Sequence, residues 1–181
     1  MLPLVSNGPR PLSKSNFLRG DQCPKALFLA VNEPSAVAPS DAESRARRET
    51  GRRVGRLAQG LFPDGEAATL SAAPDLDAAE ARTRALVAAG TPAIFEAVFH
   101  TPDGRRCVVD ILAKGRRGWR LIEVKSSASV KPEHLPDAAY QLDLVRACGV
   151  PVESVEILHL NSEYVRRGDL DLSTLFLSTP V

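Results

Sequence analysis

Asp110 and the triplet Glu123-Val124-Lys125 are the residues of this chain best placed to do chemistry. They flank a short turn, Gly115-Arg116-Arg117-Gly118, within apolar sequence. A turn centred between Arg116 and Arg117 sets Asp110 opposite Glu123 on adjacent antiparallel strands. Lys125, two residues beyond Glu123, projects from the same face. Directly opposed like charges disfavour a strand pair, so the pattern implies a cation between them. Two carboxylates and the peptide carbonyl of Val124 form an all-oxygen donor set that suits Mg²⁺ or Mn²⁺. Such an ion can activate water and stabilise charge on a phosphate, and Lys125 can position that water or neutralise developing charge. The plain alternative is a surface salt bridge between Lys125 and either carboxylate, worth about 0–1 kcal/mol. Val108, Val109, Ile111, Leu112, Leu121, Ile122 and Val124 argue against it. They bury both strand faces in part, which makes free charges costly.

The strands need elements to hold them, and the apolar period shows where these lie. Ser13 to Leu29 reads as helical in two pieces, the first capped by Ser13 and the second opened by Pro24. Ser40 or Asp41 caps a long helix reaching about Leu61, with Glu43 completing a capping box on Ser40. Its apolar stripe is Ala46, Thr50, Val54, Leu57 and Leu61. Gly51, Gly55 and Gln59 form a neighbouring row. Each glycine costs the helix roughly 1 kcal/mol against alanine, which close approach of a packed backbone would offset. A further helix spans Leu76 to Ala89 and stops at Gly90. Then the period becomes two: Ala93 to His100, Arg105 to Lys114 and Trp119 to Ser126 read as strands. Thr101-Pro102-Asp103-Gly104 joins the first two. A helix from Glu133 to Cys148 and a strand from Val152 to Leu160 follow. Leu170 to Leu177 is a short edge element or a tail. A strand that follows a helix can lie parallel to a neighbour through a crossover. The expected fold is α/β, a mixed central sheet flanked by helices in the order α-β-β-β-α-β. Residues 12–181 form one domain behind a flexible arm, 1–11.

Composition narrows the function classes. The 181 residues suit one domain with a real core. No apolar run approaches the roughly 20 residues of a membrane span. The first residues lack the basic-then-apolar pattern of a secretory signal, so a cytoplasmic location without membrane contact is expected. Three cysteines, Cys23, Cys107 and Cys148, lie far apart. They argue against a disulfide framework or a thiolate zinc site, and read as reduced thiols with at least two buried. A net charge of +1 excludes a wholly basic clamp. Locally, however, Arg45, Arg47, Arg48, Arg52, Arg53 and Arg56 crowd one segment. Arg48, Arg52 and Arg56 recur every fourth residue beside the glycine row, either as a solvated face or as a grip on phosphates. His100, His134 and His159 lack metal-ligand spacing. Trp119 and Tyr164 can stack on bases or simply pack.

Taken together, these residues resemble the PD-(D/E)XK nuclease superfamily. The opening "LSKSNFLRGDQCPKALFL", the helix "GRRVGRLAQGLFP" and the strands "IFEAVF", "VVDIL" and "WRLIEVKSS" resemble one branch of it, as do "YQLDLVRACGV" and "HLNSEYV". That branch is the RecB-like nuclease-like domain at the N-terminus of uncharacterised bacterial proteins, related to CRISPR-associated RecB-like exonucleases. The resemblance covers roughly residues 12–175 and implies a restriction-endonuclease-like core. It implies metal-binding carboxylates at Asp110 and Glu123, a catalytic lysine at Lys125, and a glutamine supporting the site or contacting DNA at Gln141. Glu96 matches a glutamate on the first strand. Its face depends on the turn at 101–104, because one extra residue there moves its partner from Val109 to Asp110. Two positions depart from the pattern. Val145 stands where many relatives have tyrosine, and Gln59 ends the row where relatives often carry a metal-binding histidine. Glu49, on the same helix, is a substitute ligand. Relatives with an iron–sulfur cluster use a cysteine near the position of Cys23 and three more near the C-terminus. This sequence lacks the latter set: either the cluster is absent, which is the expectation, or the chain is a short version of a longer protein.

The leading expectation is therefore a Mg²⁺- or Mn²⁺-dependent deoxyribonuclease domain. The rivals are a nucleic-acid-binding module of the same fold without cleavage, and a regulatory domain acting with a partner chain or a second copy of itself.

Overall fold

In the computed structural model, residues 12–39, 41–69 and 75–181 are described. The expected arm at 1–11 and the capping role of Ser40 lie outside them. The chain runs β1 (Leu12–Ser13), α1 (Lys14–Gln22), α2 (Pro24–Asn32), α3 (Ala42–Gln59), β2 (Gly65–Ala67), α4 (Leu76–Ala89) and β3 (Ala93–His100). It continues through β4 (Arg105–Lys114), β5 (Trp119–Lys125), α5 (His134–Ala147), β6 (Val152–Leu160), α6 (Leu172–Leu175) and β7 (Phe176–Pro180). The sheet order is β2-β3-β4-β5-β6-β7, with β1 added beside β4. β3, β4 and β5 form an antiparallel meander. β2 lies parallel to β3, β6 parallel to β5 after the α5 crossover, and β7 returns antiparallel along β6. The fold is α/β, a mixed sheet flanked by helices.

Alternation along the strands separates two cores. Ile94, Leu112 and Leu121 belong to a cluster with Leu86 of α4 and Leu144 and Val145 of α5. Phe95, Ile111 and Ile122 belong to another with Val54 and Ala58 of α3. Burying each Val, Leu, Ile or Phe among these stabilises the fold by about 1.5–3 kcal/mol. Asp41 caps α3, accepting the Ser44 N–H at 2.7 Å. The buried row of α3 is Val54 and Ala58, whereas the expected Leu57 is 37 % exposed. Consecutive residues lie about 100° apart around a helix, so burying Ala58 turns Leu57 away from the sheet. Trp119 also packs in the core, which removes it as a base-stacking residue. Of the cysteines only Cys107 is buried, while Cys148 is half-buried and Cys23 exposed.

The register of β4 on β5 is the one a turn centred between Arg116 and Arg117 requires, running from Lys114↔Trp119 to Ile111↔Ile122. It stops one residue short of Asp110 and Glu123. These two are therefore not ladder partners, contrary to the expectation from the turn. Beyond that point the strands part. β5 stays with β6 as far as Lys125↔His159, while β4 is joined by β1 at Leu12↔Arg105 and Ser13↔Arg106. The chain passes from β1 directly into α1. On the other side of β4, Glu96 falls opposite Asp110, between the pairs Phe95↔Ile111 and Ala97↔Val109. The loop before β4 is thus the longer of the two alternatives, and Thr101 N–H donates to the Arg105 carbonyl across it at 2.9 Å.

Candidate active site

The parting of β4 and β5 frees the groups that matter. With no β4 carbonyl opposite it, the Val124 N–H donates to Asp110 Oδ2 at 2.8 Å. Asp110 forms no ion pair among the described residues. Desolvation by the surrounding protein, then the neighbouring Glu123 carboxylate, push the Asp110 carboxyl up to about 8.

Glu123 is 3 % exposed, and a buried carboxylate needs charged partners and hydrogen bonds. It has both. Lys125 Nζ lies 2.6 Å from its Oε1, Gln141 Nε2 donates to its Oε2 at 2.8 Å, and Lys14 Nζ is 3.2 Å from each oxygen. The same three donors reach Asp137 on α5. Lys125 is 2.5 Å from Oδ2, Lys14 is 3.2 Å from Oδ1, and Gln141 Nε2 donates to Oδ1 at 2.9 Å. Two carboxylates and two ammoniums thus form a closed, partly buried lattice with a glutamine amide across it. Burial opposes the charge on Asp137, but Lys14 and Lys125 outweigh it and hold that carboxyl down at about 2. Burial likewise works against both ammoniums, yet Glu123 and the neighbouring aspartates keep Lys14 and Lys125 above the ordinary lysine range. Gln141 is fully buried, and its Oε1 has no hydrogen-bond partner among the described residues.

Glu96 has φ 53°, the one non-glycine with positive φ among the described residues. A left-handed backbone at such a residue costs of order 1–3 kcal/mol and concentrates at functional sites. Burial, with a smaller contribution from Glu123, raises its carboxyl above the usual range. A cleft of about 870 Å³ joins Glu96, Asp110, Glu123 and Val124 to Gly51, Arg52, Gly55, Arg56 and Gln59 of α3. The glycine row does not serve close packing as expected. A Cβ at Gly51 or Gly55 would meet no atom within 4 Å, so the row faces open space.

Of the residues expected from sequence, Asp110, Glu123, Val124, Lys125, Gln141, Glu96, Gln59, Arg52 and Arg56 fall in or against this one region. Arg48 and Glu49 do not line the cleft. Glu49 instead accepts from Arg52 at 3.3 Å and Arg56 at 3.5 Å on the exposed side of α3. Lys125 is tied to Glu123 as a partly buried pair, not as a surface salt bridge. Lys14 and Asp137 were missed. Asp137 had a local signal, since it precedes Gln141 by four residues and shares its helix face. Lys14 lies in the opening segment but carries no signal tying it to Glu123, from which it is 109 residues away in the chain.

Among the described residues no group of three or more His, Cys, Asp and Glu side chains forms a ready-made metal cage. The available donors are oxygens of Asp110 and Glu123 and the Val124 carbonyl, and Mg²⁺ or Mn²⁺ commonly binds one or two carboxylates and keeps its waters. The chemistry of that set, with Asp110 lacking an ion pair, fits such an ion. Comparison of the chain with protein-family models, curated proteins and solved structures gives no match. No helix among the described residues is long and apolar enough to cross a membrane.

Proposed function

We propose that this chain is a metal-dependent deoxyribonuclease domain with a restriction-endonuclease-like core, of the PD-(D/E)XK superfamily and its RecB-like branch. One observation carries the reading. Asp110, without an ion pair among the described residues, shares with Glu123, the partner of Lys125, a cleft that also holds Arg52 and Arg56. A shielded carboxyl with no ion pair of its own, beside a second carboxylate, gains by binding a cation, which favours its ionised form. Asp110, Glu123 and the Val124 carbonyl would hold Mg²⁺ or Mn²⁺, which supplies Lewis-acid stabilisation of the phosphate and activation of water. The reaction is phosphodiester hydrolysis. A water oxygen bonds to phosphorus, the bond from phosphorus to the leaving oxygen breaks, and that oxygen takes up a proton. Lys125 orients the attacking water and offsets charge growing on the phosphate. Gln141 fixes the carboxylates of Glu123 and Asp137, and Arg52 and Arg56 grip flanking phosphates by charge-assisted hydrogen bonds.

The test is Mn²⁺-dependent cleavage of labelled single- and double-stranded DNA by the parent, Asp110→Ala and Lys125→Ala. The parent should cut, and chelation or Asp110→Ala should abolish cutting. Lys125→Ala should slow it by roughly 10²–10³-fold with an unchanged circular dichroism spectrum. A folded parent that leaves both DNAs intact would sink the reading. It would favour the second one, a non-cleaving DNA-binding or partner-dependent domain of the same fold. Lys14 and Lys125 already neutralising Glu123 and Asp137, and Gln59 in place of an ionic ligand, support that alternative.

A further inference from the structure

Lys14 is the first residue of α1, following the cap Ser13. A cation there faces the positive end of the helix dipole, where it weakens the helix. Its placement is therefore explained by what it reaches, which is both oxygens of Glu123 and one of Asp137. Those Glu123 oxygens are the ones a divalent ion would use. Lys125 and Lys14 already sit on the oxygens of Glu123 and Asp137, so a divalent ion at Glu123 must share those oxygens with two ammoniums of like charge. Lys125 is fixed two residues from Glu123 on the same strand and is in closer contact with both carboxylates. Lys14 comes from a separate helix with no buried residue, and it also lines a neighbouring cavity of about 280 Å³.

We infer that Lys14 is a built-in counter-ion of the carboxylate site, one that competes with the divalent metal for Glu123. The inference rests on the metal-binding reading above and adds a regulatory element to it. Metal binding and the seating of Lys14 on Glu123 oppose each other, so anything that holds α1 down lowers metal affinity, and anything that lifts it raises metal affinity. The coupling is reciprocal by thermodynamic necessity.

Calorimetric titration with Mn²⁺ alone, without nucleic acid, tests this on the full chain as parent, Lys14→Ala, Lys14→Gln, Lys14→Arg and Asp110→Asn. Removing the competing charge should tighten Mn²⁺ binding about tenfold in Lys14→Ala and Lys14→Gln, within the usual range of coupling between sites. Lys14→Arg, which keeps the charge, should bind as the parent does. If Lys14→Ala does not fold, Lys14→Gln decides, since it keeps a donor at the same place. A merely structural role predicts the opposite sign, because a loosened pocket binds metal more weakly. Unchanged or weaker binding in the uncharged variants overturns the inference while leaving the metal site standing. A parent that binds no better than Asp110→Asn overturns the metal reading and this inference with it.

Discussion

Asp110 and Glu156 are carboxylates on strands of one sheet, and their surroundings drive them in opposite directions. Glu156 accepts from two Arg120 nitrogens at 2.8 and 2.7 Å and from the hydroxyls of Ser154 and Ser178. Those bonds, the Arg120 ones first, bring its carboxyl from the ordinary 4.5 to about 2. Asp110 has one backbone N–H and no ion pair among the described residues, and it goes up to about 8. Under the nuclease reading, the fully partnered Glu156 serves the architecture and Asp110, without a cation partner, serves the chemistry. The pairing of Glu156 has a pH signature. Between pH 4.5 and about 2 the unfolded chain binds a proton at this residue and the folded chain does not, so falling pH favours unfolding. The stabilisation is complete above the ordinary value and lost as pH falls through the folded one. Glu156→Gln cannot titrate and should flatten the acid decline of Tm, read by thermal melts at a series of pH values; an unaltered decline would show that the ion pair does not stabilise the fold. At this scale the sequence showed the residues with local regularity. Asp110, Glu123 and Lys125 sit at fixed offsets from one turn, and Gln141 lies in a recognisable segment. Asp137 shares a helix face with Gln141, whereas Lys14 acquires its meaning only through contacts made by folding.

α3 shows what an element contributes. Its buried side, Val54 and Ala58, holds it against Ile111 and Ile122, and its cleft side carries Gly51 and Gly55 between arginines. Since added methyl groups there meet no atom within 4 Å, the packing does not require glycine. Gly51→Ala and Gly55→Ala should each stabilise the folded protein by up to about 1 kcal/mol through helix propensity, measured by urea denaturation. Under the nuclease reading the same changes should slow cleavage, because the methyl groups enter the space left for DNA. Variants that are more stable and equally active would show that the row has no part in binding. Element boundaries followed apolar period closely. Ala93–His100, Arg105–Lys114, Val152–Leu160 and Leu76–Ala89 have the ends that spacing and turn residues predicted. β1 and β2 were not foreseen, because two or three residues are too few to show a period. The splaying of β4 from β5 was invisible for another reason. Alternation fixes which face a residue takes, not whether a ladder continues, and the strand that joins β4 beyond this ladder, at Arg105 and Arg106, is β1 from the far end of the chain.

At the scale of the whole molecule, net charge and local field point to different expectations. A chain of net charge +1 has little general attraction for a polyanion. Yet the cleft bears Arg52 and Arg56 beside its carboxylates, and Lys14 and Lys125 neutralise two of the acidic groups nearby. DNA binding, if it follows the proposed reading, is therefore local: a few phosphate contacts set by α3 instead of an overall electrostatic pull. Counterion release makes that countable, since each phosphate contact contributes about 0.7–0.9 to the slope of log K against log salt. Neutralising Arg52 and Arg56 together to glutamine should weaken binding and lower that slope by about 1.4–1.8. Fluorescence anisotropy with labelled DNA, in Ca²⁺ to avoid cleavage, reads both quantities across a salt series. Arg48→Gln should leave the slope where it is, since Arg48 lies on the same helix but does not line the cleft. Parallel salt lines for the parent and the Arg52/Arg56 variant would mean that DNA does not pass along α3, and the substrate path would then have to be sought on another side of the carboxylates.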